Sequence, residues 1–211
     1  MLQNQCQLVE FLVFGQSYIG KTSFLKSAKG EKFDENYYPN TGIELIIKQI
    51  KIRDEIQKLY LWEFPGFSNF KQIARRYYKR AQGLILLYDI TDHESFINLE
   101  NYLEEAIQHH DSLLSIILIG NKVDLDSKRQ VSIEEAEDFA QKKGFPFFEI
   151  SAKTNHNIDL VLEYCLSDVL EKAKIKGIEL KKIHIDNEEP ESQTSNSVSL
   201  NQQKKNWFKC Y

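Results

Sequence analysis

The chain has 211 residues, 42% of them hydrophobic, with a formal net charge of −4, enough for one sizeable core and a tail but not for two full domains. The acidic balance gives no general attraction to nucleic acid, and no local basic patch stands out to supply one. No apolar run approaches the ~20 residues that span a bilayer, and MLQNQCQ lacks the basic-then-apolar opening of a secretory signal, so a cytosolic chain is expected.

Along the chain, apolar runs that read as strands recur at LVEFLVF, GIELIIKQI, IQKLYLWEF, GLILLYDI, LLSIILIG and FPFFEI. After the first comes GQSYIGKTS, Gly15 to Ser23, which fits the phosphate-cradling pattern GxxxxGKS/T between a strand and the helix-compatible TSFLKSA. In such a loop backbone N–H groups surround a β-phosphate, and Gly15 and Gly20 supply conformations that a Cβ would obstruct. Lys21 reaches the β- and γ-phosphates while the Thr22 hydroxyl ligates Mg²⁺. The second and third strands are separated by only a few residues around Arg53, Asp54 and Glu55, which suits a hairpin. Elsewhere strands alternate with helix-period segments at Glu94 to His109, Ser132 to Lys143 with Ser132 as cap, and Ile158 to Lys176. His109 and His110, at the outer end of the first of these, read as solvated surface residues. The pattern implies an α/β fold with a six-stranded, mostly parallel sheet, one antiparallel strand and helices on both faces. Ligands of such sheets sit beyond the carboxyl ends of the strands, where the Gly15 loop falls.

The organisation expected is an N-terminal extension over 1–7, a globular domain over 8–176 and a disordered, Ser/Asn/Gln-rich tail over 177–211 that closes on KKNWFKCY. Cys6, Cys165 and Cys210 are scattered without CxxC spacing, so neither a disulfide framework nor a zinc site is indicated.

Two further short motifs stand at strand ends: NKVD, Asn121 to Asp124, and SAK, Ser151 to Lys153. In this order and spacing GKT, NKVD and SAK resemble the small GTPases of the Ras superfamily. YDITDHESFINLENYLEE, RYYKRAQG and EISAK narrow the resemblance to the Rab branch, over about Leu8 to Ala173. It implies a P-loop small G domain binding GTP or GDP with Mg²⁺. Ser17, Tyr18, Ile19, Gly20, Lys21, Thr22, Ser23 and Gly66 would lie around the phosphates. Asp124 would accept two hydrogen bonds from guanine N1 and N2, a donor pair that adenine lacks. Lys122 would lay its stem along the base, Asn121 would tie this loop to the phosphate loop, and Ala152 would offer its N–H to guanine O6, with Ser151 and Lys153 holding the loop. Phe33 stands where the family places an aromatic ring against the base; an ordinary partly buried aromatic explains it equally well. The family's aromatic effector triad corresponds to Leu45, Trp62 and Tyr77, of which two keep an aromatic ring; packing beside the sheet explains those two as well.

The chain departs from the Rab pattern where the γ-phosphate is sensed. Family TIGxxF is PNTGIEL here, so either Asn40 or Thr41 would ligate Mg²⁺. Family DTAGQE is EFPGFS, Glu63 to Ser68. Glu63 would act on Mg²⁺ through a water, and Pro65 stiffens the loop before Gly66. Phe67 replaces the glutamine that orients the attacking water, so no catalytic residue is assigned and unaided hydrolysis should be very slow. Activating proteins of the Rab class supply an arginine and a glutamine in trans, so stimulated turnover is compatible with Phe67. Tyr18 occupies a position usually held by a small residue; its ring either faces solvent or forms with Phe67 an aromatic lid over the phosphates.

The resemblance therefore implies a GDP/GTP switch in vesicle trafficking with exchange factors, GTPase-activating proteins and effectors as partners, acting as a monomer. The alternatives are a nucleotide-locked pseudo-GTPase scaffold and, disfavoured because NKVD and SAK would have no use there, a P-loop small-molecule kinase. Geranylgeranylated relatives end in CC or CxC, and a CaaX box is absent here. Cys210 is the one lipidation candidate, with Lys204, Lys205, Lys209, Trp207 and Phe208 assisting a reversible attachment to the cytosolic face of an endomembrane. An unmodified polar tail is the other reading.

Overall fold

A computed structural model describes residues 5–35, 42–65, 76–109 and 114–184. β1 (Gln5–Phe14) is buried along nearly its whole length, as expected of a central strand covered on both faces. β2 (Glu44–Ile52) and β3 (Glu55–Glu63) form an antiparallel hairpin through Arg53 and Asp54, both with positive φ (48° and 69°), the signature of a tight two-residue turn. β4 (Gly83–Asp89), β5 (Ser115–Asn121) and β6 (Phe147–Glu149) complete the order β2-β3-β1-β4-β5-β6, in which β2 alone runs against its neighbour.

The two faces are partitioned by the period of the strands. Val9, Phe11 and Val13 of β1 with Ile85 and Leu87 of β4 point to one side, where they meet Phe24 and Leu25 of α1 (Lys21–Lys29) and Leu162, Leu166 and Val169 of α5 (Ile158–Lys176). Leu12 and Phe14 with Leu84, Leu86 and Tyr88 point to the other. There they meet Phe96 of α2 (His93–Ile97), Leu99 and Leu103 of α3 (Leu99–His109), and Ala136 and Ala140 of α4 (Ile133–Lys143). Ser132 caps α4 by accepting a hydrogen bond from the Glu135 N–H at 3.1 Å.

Three features differ from the sequence reading. The single helix expected over Glu94 to His109 is interrupted at Asn98, whose carboxamide donates to Gln16 Oε1 of the phosphate loop at 3.3 Å, a contact across 82 residues of chain. His109 is not a solvated surface residue: its ring stacks on Tyr78 (6.1 Å, 25°) and its Nδ1 lies 2.8 Å from Glu105 O. His110 lies outside the described residues. The sheet also has a seventh strand, β7 (Lys182–His184), paired antiparallel with Gln5–Gln7. Folded structure thus runs beyond the boundary expected after Lys176 and takes in part of the expected N-terminal extension. Polar composition hid β7 because its pairing is made by backbone groups; Leu180, buried just before it, and the Ile183–Cys6 pair supply the apolar contact. Residues 185–211, with Cys210, lie outside the described residues.

Candidate functional site

The loop from Gly15 to Gly20 leaves the carboxyl end of β1 and enters α1. Neither glycine can be replaced without displacing backbone or a buried side chain. A Cβ on Gly15 would stand 2.2 Å from Leu87 O, and one on Gly20 (φ 92°) would stand 2.6 Å from Asn121 Nδ2. Between them Ile19 is buried in the core, so the loop is anchored from beneath, while Ser17 and Ser23 are half-buried.

Lys21, at the start of α1, is 5% exposed, and its ammonium donates to Gly15 O (3.1 Å) and Gln16 O (2.8 Å). Burial pushes its pKa down to about 8 against the opposing pull of Glu63. A cation so placed favours an anionic ligand that restores its charge. The neighbouring Thr22 hydroxyl donates to Glu63 Oε1 at 2.8 Å, and Glu63 is itself buried at the end of β3.

Asn121 joins the three motifs. Its Nδ2 donates to Ile19 O in the phosphate loop (2.9 Å), and its Oδ1 accepts from the Ala152 N–H in SAK (3.1 Å). The Ala152 amide assigned from the resemblance to guanine O6 is therefore already engaged, and donation to a base would have to share this bond. Lys122 sits with positive φ (71°), its ammonium held by Tyr18 O (2.9 Å) and Asp89 Oδ2 (2.6 Å), which fixes the direction of its stem. The exposed Asp124 accepts from Ser151 Oγ at 2.6 Å, and Ser151 also receives the Thr154 N–H. Lys153 lies 3.3 Å from Glu35 Oε1 and 5.6 Å from the centre of the Phe33 ring, which is 40% exposed. Phosphate loop, NKVD and SAK thus converge on one edge of the sheet.

Tyr18 has φ 68° and is 65% exposed. Left-handed backbone costs a non-glycine residue ~1–2 kcal/mol, of which glycine's greater unfolded freedom would cancel ~0.5–1. Tyr18→Gly is therefore expected to raise the melting temperature by up to about 6 °C. A fall on thermal unfolding would show that the ring carries packing.

Beside the site, Leu45 pairs across the hairpin with Trp62, and Trp62 meets Tyr77 edge-on at 4.8 Å, so the three expected effector positions adjoin. Glu10 of β1, 6% exposed, accepts from Trp62 Nε1 (2.9 Å) and Arg80 Nη2 (2.7 Å), and the Arg80 guanidinium lies 5.5 and 5.6 Å from the Trp62 and Tyr77 rings. Phe64, the residue after Glu63, is buried against Phe14 (5.2 Å, stacked) and Tyr77 (5.2 Å, edge-on), and Pro65 is buried too. Asn40, Thr41, Gly66 and Phe67 lie outside the described residues. Reading the sequence missed Glu10, Arg80, Phe64 and Asp89. Glu10 alone carried a signal, as the one charge inside LVEFLVF. Among the described residues there is no group of three or more His, Cys, Asp or Glu placed to hold a metal ion.

A model of the Ras family matches residues 10–171. Ras-related protein SEC4 of Candida albicans is 36% identical over 165 residues, 78% of this chain and 79% of its own length. Ras-related protein Rab-13 of Rattus norvegicus is 33% identical over 195 residues (92% and 96%), and Ras-related protein Rab-2B of Dictyostelium discoideum 36% over 165 (78% and 82%).

Proposed function

This chain belongs to the Ras family, in its Rab branch, and from that membership we infer that the site built by Gly15–Ser23, NKVD and SAK holds a guanine nucleotide, and from the departure at Phe67 that its γ-phosphate is hydrolysed slowly. It is a Rab-like small GTP-binding protein of vesicle trafficking. Its partners are of the kinds the family uses: exchange factors, activating proteins and effectors. The observation that carries the reading of the site is the Asn121 carboxamide, which spans from Ile19 O to the Ala152 N–H and sets the base-reading loops at a fixed distance from the phosphate loop. Lys21 would take the β- and γ-phosphates and Asp124 the guanine N1 and N2 donors.

Ras-family proteins typically bind Mg²⁺ with the nucleotide. The Thr22 hydroxyl donates to Glu63 Oε1 at 2.8 Å, so two oxygen donors of the kind Mg²⁺ prefers stand together beside the phosphate loop. The pair fits such an ion, with Glu63 acting directly or through a water and Asn40 or Thr41 completing the set. Bound there, Mg²⁺ would neutralise charge on the phosphates. The chain's own part is to position the nucleotide and the ion's ligands; with Phe67 in place of the water-orienting glutamine, it lacks the group that would aim the nucleophile.

Two measurements test this reading. Nucleotide extracted from purified protein should be GDP or GTP and not ATP, and an empty or ATP-loaded protein would contradict the assignment. Phe67→Gln should raise unaided GTP hydrolysis by about ten-fold or more, since it restores the positioning group. An unchanged single-turnover rate would move the cause to Glu63 or Asn40. Cys210 as a lipid attachment point, giving reversible residence on the cytosolic face of an endomembrane, belongs to the same proposal. Cys210→Ser should shift the protein to the soluble fraction.

A further inference from the structure

The largest exposed apolar side chains include two near the end of α5. Ile175 is 77% exposed and Ile178, just past the Gly177 cap, is 41% exposed. Lys174 and Lys176 flank the first, and Lys181 and Lys182 follow the second, with Glu179 the one carboxylate among them. These four lysines are exposed. The segment is not a loose tail. Ile178 N–H bonds to Ala173 O (2.9 Å), Leu180 is buried, Leu8 N–H bonds to Lys181 O (2.8 Å), and β7 is zipped to the start of β1. The fold thus anchors this isoleucine- and lysine-bearing base by its backbone beside the start of β1, with the exposed Glu171 one turn before Lys174 as a second carboxylate, a local concentration of basic residues that overall composition did not reveal.

We propose that this base, formed by Lys174, Ile175, Lys176, Ile178, Lys181 and Lys182, is a contact surface for anionic lipid. Apolar side chains set among lysines are what an interfacial membrane contact requires: the former enter the headgroup boundary while the latter meet negative charge. The chain beyond His184 argues for the same occupant. Its last residues, KKNWFKCY, carry lysines, two aromatic rings and Cys210, so a terminal anchor and the folded base would engage one surface, and stable attachment takes two such signals. Asp186, Glu188, Glu189 and Glu191 follow β7 directly and would be repelled, so the base contributes modestly and acts together with the anchor. β1 runs ten residues, about 33 Å, from the base to the phosphate loop. Lipid contact there would leave the nucleotide site facing the cytosol. The proposal rests on the membrane reading of Cys210, but its test does not.

The experiment uses the full chain without lipid modification, loaded with GDP, sedimented with vesicles of phosphatidylcholine alone or containing 30 mol% phosphatidylserine. Wild type should partition onto the anionic vesicles and not the neutral ones, with binding lost as salt is raised. Each lysine near the surface is worth about five-fold, so Lys174→Glu with Lys176→Glu should lower partition at least ~20-fold, and Ile175→Ser should lower it further. Lys204→Ser with Lys205→Ser should lower partition by no more than the base variant does, since tail and base engage one surface. GDP affinity and melting temperature, measured on the same samples, should not change in either variant. Equal sedimentation of wild type and the base variant, loss of binding in the tail variant alone, or no binding of wild type to anionic vesicles would each overturn the proposal; the last would leave an acidic protein as the partner. Failure to bind GDP would instead contradict the nucleotide assignment.

Discussion

Asp124→Asn is expected to weaken GDP and GTP binding by about 10²–10⁴-fold while leaving the melting temperature of the nucleotide-free protein unchanged. A carboxylate accepts from both guanine donors and each such charge-assisted bond is worth ~1.5–3 kcal/mol, so losing the charge and turning one acceptor into a donor removes on the order of 3–5 kcal/mol. The fold should not notice. Asp124 is exposed, and its contact within the protein, the Ser151 hydroxyl at 2.6 Å, can be kept by the carboxamide oxygen. The same substitution carries a directional signature. A base with a carbonyl in place of the guanine 2-amino group would find a donor where the wild type offers only acceptors, so a xanthine nucleotide should recover part of the lost affinity. Displacement of a fluorescent GDP by each competitor measures both effects. Unchanged guanine affinity, or an equal loss for both bases, would show that Asp124 does not read the base edge.

Glu10→Ala is expected to destabilise the fold by about 3 kcal/mol, lowering the melting temperature by roughly 6–12 °C. Glu10 is nearly fully buried and accepts from two donors, Trp62 Nε1 and Arg80 Nη2. Removing it strands the Trp62 N–H in a partly buried setting and frees the Arg80 guanidinium that covers Trp62 and Tyr77. The Arg80 side chain is 52% exposed, so its own desolvation adds little, which keeps the estimate near the lower end for a broken buried pair. Glu10→Gln keeps an acceptor and the volume and should cost about 1 kcal/mol. Because the cluster fixes the rings expected to meet effectors, Glu10→Ala should also change Trp62 fluorescence, which is read cleanly in a Trp207→Phe background. A melting temperature within ~2 °C of wild type would mean that the pair is no more than a surface contact.

The contrast between these residues shows what the sequence makes legible. Gly15, Gly20, Lys21, Asn121 and Asp124 announce themselves because each stands in a short motif at a turn, a helix start or a strand end, although the bonds by which Asn121 joins Ile19 to Ala152 appear only in the fold. The alternation of strand and helix is likewise local, and the sheet follows from it. What stayed hidden is non-local. The helix that periodicity runs straight through is interrupted at Asn98, whose carboxamide reaches Gln16 in a distant loop. β7 is spelled in polar residues and exists because the start of β1 offers it free backbone groups. His109 reads as surface, yet folding places it on Tyr78. Asp89 reads as the one charge near the end of the apolar run GLILLYDI, and only the fold reveals that it holds the Lys122 ammonium at 2.6 Å. Phe64 is a similar case, since a phenylalanine beside a phosphate site means little until Phe14 and Tyr77 are seen to clasp it.

These contacts sharpen the view of a site that grips more firmly than it cuts. Lys21 is held by two carbonyls of the phosphate loop, and Asn121 and Lys122 each by two partners from different elements. By contrast, Phe67, which the resemblance aligns with the water-orienting glutamine, has a side chain that can neither donate nor accept a hydrogen bond. The most direct test is single-turnover hydrolysis of GTP preloaded on the purified, unmodified protein, followed alone and with an activating protein of the Rab class. Unaided turnover should be far slower than that of a Rab carrying the glutamine, with GTP persisting on the protein and acceleration appearing only in the presence of the activator. Unaided hydrolysis as fast as that of the glutamine-bearing Rab would contradict the account.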